Sequence, residues 1–272
     1  MSKSIIIANW KMNPENLKEA ERLFSGIIKS ISDIKKTEIV ICPPFIFLPY
    51  FTKAIKSEEK LIKISKKIKI GAQDLFFEDS GAYTGEISAP MLYDIGARYA
   101  IIGHSERRNP PFSSLGGTIG ETNLEINKKI KAALRAGLQP ILCVGENLRD
   151  ENHEYLNFIK IQIEECLDGI SKNSISKVIV AYEPVWAIGN GARPATPEEF
   201  YEMKIFIRKI LSDKFGVKFI SGARIIYGGS VDDKNVESFI KEGKADGFLP
   251  GRASLDIKKF SQIIKICETS NN

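Results

Sequence analysis

The chain has 272 residues, 43% of them hydrophobic, which is enough for one large buried core or a single α/β barrel. No apolar run reaches the length that spans a bilayer, and the opening M-S-K-S-I-I-I-A-N-W lacks a secretory pattern. The formal net charge of +5 is mild and diffuse; it suits small anionic ligands and gives no stripe for nucleic acid.

Four cysteines (Cys42, Cys143, Cys166 and Cys267) stand far apart without a C-x-x-C, and two histidines give no zinc spacing. The expectation is a reduced, cytoplasmic protein that needs no metal or cofactor and touches no membrane.

Short apolar runs recur along the chain: Ile5–Ile7, Glu38–Ile41, Ile68–Ile70, Tyr99–Ile102, Pro140–Val144, Val178–Ala181, Arg224–Tyr227 and Gly247–Leu249. Each is largely β-branched and lacks polar alternation, the pattern of parallel strands covered on both faces. Helical stripes fall between them. Asn13-Pro14 reads as an N-cap with proline at the first helical position, followed by Leu17, Ala20, Phe24, Ile27 and Ile31. Tyr155, Ile159, Ile163, Cys166, Leu167 and Ile170 make another stripe. Thr196-Pro197-Glu198-Glu199 has the form of a capping box before Phe200, Met203, Ile207, Ile210 and Leu211. Strand-then-helix units repeated in this way predict one (β/α)8 barrel over residues 1–272; a doubly wound open sheet is the structural competitor. Two segments break the rhythm and read as insertions near 53–67 and 109–119. The first is rich in lysine and reads as a solvated face, since no aromatics interleave its charges. The second is N-P-P-F-S-S-L-G-G-T-I.

Polar residues collect directly after the strands. Asn9 and Lys11 follow the first, Gln73 the third, and His104, Ser105 and Glu106 the fourth. Glu146 follows the fifth and Glu183 the sixth. Gly228-Gly229-Ser230 follow the seventh, before a helix expected from Val231, and Gly251-Arg252 follow the eighth. Closing the barrel brings all of them to its C-terminal rim, where catalysis sits in this architecture. A lone carboxylate at a strand end more often only ends the strand. Here Glu183 precedes a glycine-bearing loop with Pro184, Trp186, Gly189 and Gly191, as a rigid base beside a movable lid would. Glu183 as base, His104 as neutral donor, Asn9 as amide donor and Lys11 as cation suit proton abstraction beside a carbonyl. The glycine turns after the last two strands, with Gly189, expose backbone N–H groups fit for a phosphate.

Five motifs closely resemble the triosephosphate isomerase family: N-W-K-M-N from Asn9, G-H-S-E-R-R from Gly103, C-V-G-E from Cys143, A-Y-E-P-V-W-A-I-G from Ala181 and Y-G-G-S from Tyr227. The resemblance runs from about Ile5 to about Asp256. It implies interconversion of dihydroxyacetone phosphate and glyceraldehyde 3-phosphate without cofactor or metal. Glu183 would shuttle the proton, His104 and Asn9 would polarise the carbonyl, and Lys11 would offset negative charge. Glu106 and Ser105 would support them. Gly189, Ser230, Gly251 and the backbone of Arg252 would hold the phosphate under a lid from Pro184 to Pro194. Gln73 and the loop containing Thr84 match the family's interdigitating loop, which implies a homodimer.

Three departures stand out. The lid carries Gly191-Ala192-Arg193-Pro194-Ala195, one residue longer than the common form, which predicts altered closure. Pro250 and Arg252 occupy places where a small aliphatic residue and glycine are common. The two insertions are the third. The competing readings are another phosphate-binding barrel enzyme and a barrel recruited for binding through the lysine-rich segment. The first does not require G-H-S-E-R-R together with A-Y-E-P-V-W, and the second predicts the loss of Asn9, Lys11, His104 or Glu183.

Overall fold

The structure, a computed structural model, describes residues 4–31, 33–57, 68–109, 120–187 and 192–270. Strands form where the Ile, Val and Ala runs fall: β1 Ile5–Asn9, β2 Glu38–Cys42, β3 Ile68–Ala72, β4 Tyr99–Ile102, β5 Gln139–Val144, β6 Ile179–Tyr182, β7 Arg224–Tyr227 and β8 Gly247–Phe248. They pair in sequence order, and β8 returns to β1 through Ile5↔Gly247 and Ile6↔Phe248, all parallel. The sheet is a closed barrel, so the open-sheet alternative is excluded. Closure needs glycine at 247, because a Cβ there would lie 2.0 Å from the Ile5 carbonyl oxygen.

The missing polar alternation has a direct cause. Ile5, Ile7, Val40, Cys42, Tyr99, Ile101, Ile141, Cys143, Ile179, Ala181, Ile226 and Leu249 fill the barrel interior. Their neighbours Ile6, Ala8, Ile39, Ile41, Ile102, Leu142 and Val180 point outward into a second apolar layer beneath the helices. Both faces are therefore dry, and period-two patterning disappears.

Helix boundaries follow local capping. The Thr196–Glu199 capping box is formed in both directions at the start of the helix Pro197–Phe215. The first helix begins later than its sequence suggests. It spans Leu17–Ser30 with Asn16, not Asn13, as N-cap, since the Asn16 Oδ1 accepts the Glu19 N–H at 3.0 Å. The helix expected from Val231 starts only at Val236. Before it, Asp232 Oδ1 accepts the N–H groups of Lys234 and Asn235, while the Asp232 N–H donates to Asn235 Oδ1. That side-chain turn competes with helix geometry and delays it. Strand β6 starts one residue after Val178, whose N–H closes a turn onto Ile175. Of the two segments read as insertions, residues 58–67 and 110–119 lie outside the described residues. No described helix is long and apolar enough to cross a membrane.

Candidate active site

Strand ends deliver the polar residues to one cavity of about 790 Å³ at the C-terminal rim. Asn9, Lys11, His104, Ser105, Glu106, Glu183, Ser230, Gly251 and Arg252 all line it. Gly189 lies outside the described residues.

Glu183 is only 2% exposed, although it carries a carboxylate. Its Oε2 accepts the Ser105 N–H at 2.8 Å and its Oε1 stands 3.0 Å from His104 Nε2. Backbone geometry fixes its place. The Glu183 N–H donates to the Val144 carbonyl at 2.8 Å, and a Cβ on Gly145 would come within 1.8 Å of the Glu183 carbonyl oxygen. Gly145 therefore belongs to the site by its smallness, a role the sequence reading missed. Its only signal was a glycine between a buried strand and Glu146.

His104 caps the short helix Ser105–Arg108, and its Nδ1 accepts the Glu106 N–H at 3.2 Å. With Nδ1 acting as acceptor, the ring proton belongs on Nε2, which faces Glu183. Below this turn, Arg108 donates to the carbonyls of Gly103 (2.8 Å) and Cys143 (3.0 Å) and to Asn123 Oδ1 (2.6 Å). One guanidinium thus ties the His104 turn to β5 and to the helix Asn123–Ala136.

Lys11 has a φ of +52°, a conformation unusual for a non-glycine residue, which costs on the order of 1–3 kcal/mol. Three contacts hold it there. Its N–H donates to Asn9 Oδ1 at 3.1 Å, Gln73 Nε2 donates to its carbonyl at 2.8 Å, and its ammonium pairs with Glu106. Gln73 also donates to the Cys42 carbonyl at 2.9 Å, so its amide group is used within the chain.

At the far end of the cavity, the Gly228 N–H is spent on the Tyr182 carbonyl at 2.8 Å. The N–H groups of Gly229, Ser230 and Gly251 carry no hydrogen bond to described residues. These donors come from loops, since the helix Val236–Lys241 begins too late to contribute. The Cys143 thiol lies against this site, but burial first and the Glu183 charge second push its pKa well up. It stays protonated and is no nucleophile. Among the described residues, no three or more His, Cys, Asp and Glu side chains gather as a metal-holding group.

Glu146 and Trp186, which the sequence reading placed after β5 and in the loop after β6 without assigning them a role, anchor the foot of that loop. Glu146, 1% exposed, accepts from the Tyr182 hydroxyl at 2.6 Å, Trp186 Nε1–H at 2.7 Å and Arg149 Nε–H at 3.2 Å. Burial first, and then the Glu146 charge, raise the Tyr182 hydroxyl pKa, so it remains a donor. Arg149 and Arg193 both lie over the Trp186 ring, 5.2 and 4.9 Å from its centroid. Arg193 also pairs with Glu199 at 2.7 Å.

A closed parallel barrel with a buried carboxylate, an imidazole donor and an ammonium on its C-terminal rim defines a barrel enzyme equipped for acid–base chemistry. A family model described as triosephosphate isomerase matches residues 4–267. The triosephosphate isomerase of Dictyoglomus thermophilum is 42% identical over 97% of this chain and 100% of its own length. That of Dehalococcoides mccartyi is 43% identical, covering 97% of both chains. A crystal structure of triosephosphate isomerase from Bartonella henselae superposes with a TM-score of 0.79 at 33% identity, covering 97% of this chain and 98% of that one. The chain belongs to the triosephosphate isomerase family.

Proposed function

We propose that the chain interconverts dihydroxyacetone phosphate and D-glyceraldehyde 3-phosphate, in glycolysis and gluconeogenesis, through an enediol(ate). The observation that supports this most is the buried Glu183 carboxylate 3.0 Å from an imidazole Nε2, with Asn9 and Lys11 on the same cavity. Glu183 removes a proton from the carbon beside the carbonyl. The electron pair moves into the new C=C bond and the carbonyl oxygen becomes anionic. His104 Nε2–H and Asn9 donate to that oxygen, and Lys11 offsets its charge. A proton passes by way of His104 from the hydroxyl on the first carbon to the anionic oxygen. Glu183 then returns its proton to the former carbonyl carbon: the C=C pair forms the new C–H bond while the oxygen left anionic on the first carbon forms the new C=O. Triosephosphate isomerase is itself a reference case for a histidine that works neutral beside a helix N-terminus, so that role is adopted from the family. Glu106 holds Lys11, and the Ser105 N–H holds Glu183 in its resting orientation. The phosphate sits on backbone N–H groups of Gly189, Ser230, Gly251 and Arg252. The segment Pro184–Pro194 closes over it and excludes water. The reaction as written uses no cofactor.

The chain acts as one domain, with 53–67 and 109–119 as insertions, in the cytoplasm. It pairs as a homodimer through the loop that carries Thr84. Residues 78–86 of that loop are exposed in the single chain, and Met12 (92%), Ile46 (77%) and Tyr83 (45%) present apolar surface to solvent. A coupled assay with glyceraldehyde 3-phosphate tests the activity. Turnover within the ordinary range of enzymes is expected, and none above buffer would overturn the proposal.

A further inference from the structure

The cavity does not end at the backbone donors. Arg252 and Lys259 line it beside Gly229, Ser230 and Gly251. Neither side chain has a hydrogen bond or an ion pair with any described residue. Other cations around the rim are engaged: Lys11 with Glu106, Arg107 with Asp74 and Glu121, and Arg193 with Glu199. Two carboxylates, Asp232 and Asp256, line the same cavity, and no ion pair joins either of them to Arg252 or Lys259 among the described residues. Asp232 accepts the N–H groups of Lys234 and Asn235, and Asp256 those of Lys258 and Lys259.

Position matters as much as charge. A Cβ on Gly251 would lie 3.8 Å from Lys11 Nζ, so the Gly251 turn faces the Lys11 ammonium. Arg252 follows directly in the chain. An anion resting on the free Gly251 N–H is thus flanked by Lys11 and by a guanidinium whose donors match phosphate in pairs. A concave wall with unpaired positive charge concentrates field on an incoming dianion.

We propose that the Arg252 side chain, assisted by Lys259, is a specificity-determining group for the substrate's phosphate, beyond any contribution of its backbone. This rests on the reading of the cavity's far end as the phosphate seat. The side chain binds the dianion directly and makes its capture sensitive to salt.

The test uses Arg252→Gly, Arg252→Lys and Lys259→Ser in the full chain. KM and kcat for glyceraldehyde 3-phosphate are measured across ionic strength, and inorganic phosphate binding is measured by calorimetry without turnover. Arg252→Gly is expected to raise both KM and the phosphate Kd by at least about tenfold, the effect of one charged hydrogen bond, with the smaller part of the loss in kcat. It should also flatten the salt dependence. Arg252→Lys restores part of the affinity, and Lys259→Ser shifts it in the same direction by less. A folded Arg252→Gly protein with unchanged phosphate Kd and salt slope overturns the proposal, as does a wild-type protein that binds no phosphate. If the wild type fails to isomerise triose phosphates, the activity falls, while the phosphate measurement still decides Arg252.

Discussion

Glu183 keeps both carboxylate oxygens occupied while it waits, one on the Ser105 N–H and one toward the His104 ring. A base held in this way, by a backbone N–H on one oxygen and an imidazole beside the other, has a fixed reach. Glu183→Asp withdraws the carboxylate by about 1 Å and should lower kcat on the order of 10²-fold, the penalty for misplacing a reacting group. Steady-state kinetics decide this, and a rate within about twofold of wild type would remove Glu183 as the proton shuttle. At this scale the sequence was informative about polar groups and blind to space. Asn9, Lys11, His104 and Glu183 announced themselves as polar residues after apolar strands. Gly145 did not, because its contribution is the absence of a side chain where the Glu183 backbone passes.

A buried polar anchor, Glu146, fixes the loop that follows β6. The loop after β6 leaves the barrel through Trp186, held by Glu146 and covered by Arg149 and Arg193. Glu146→Ala would leave three donors around a buried site, with Arg149 retaining contacts to the Tyr182 hydroxyl at 3.3 Å and the Glu199 carbonyl at 3.5 Å, and longer ones to the Glu199 and Glu202 carboxylates at 3.9 and 3.7 Å. A loss of about 3 kcal/mol in denaturant unfolding is expected, and a loss below about 1 kcal/mol would contradict the anchoring role. The far foot carries Arg193 and Pro194, and the proline restricts φ in the hinge. Deleting one lid residue and replacing Pro194 should change turnover and the leakage of intermediate to methylglyoxal; no change in either would show the longer hinge to be neutral. Helix starts were legible where a capping box was written out, as at Thr196–Glu199, and misread where two caps competed. Asn13 and Asn16 are chemically equal, and only the hydrogen bond to the Glu19 N–H selects Asn16. At Val231, the side-chain turn of Asp232 and Asn235 overrode the helix signal.

The whole molecule closes end on end. Glu268, on the last helix Ile257–Ser270, accepts the N–H groups of Lys35, Lys36 and Thr37 ahead of β2. Burial alone would raise its pKa, but the N–H groups of Lys35, Thr37 and Lys36 together hold it below the usual glutamate value. A folded-state pKa below the unfolded one gives stability that is present above about pH 4.3 and lost as pH falls through the folded value. Glu268→Gln should therefore cost stability near neutral pH and converge with wild type in acid. Parallel pH–stability curves would refute the link. Beyond the single chain, sedimentation equilibrium should give twice the 30.4 kDa chain mass. Removing residues 78–86 should give monomers with little activity; a monomeric wild type would end the dimer proposal.

By itself the sequence determined the strand count, the two dry faces of the sheet and the chemical character of the rim. Unalternated Ile and Val runs admit few other folds, and polar residues directly after them have one place to go. Tertiary structure alone decided whether the sheet closed, because closure rests on β8 meeting β1 at Gly247. It also decided which donors stay open, since the Gly228 N–H is consumed by Tyr182 while those of Gly229, Ser230 and Gly251 find no acceptor among the described residues. Glycine turns look alike in one dimension, and only the packing of neighbouring strands determines which N–H finds a carbonyl within the fold and which remains for a ligand.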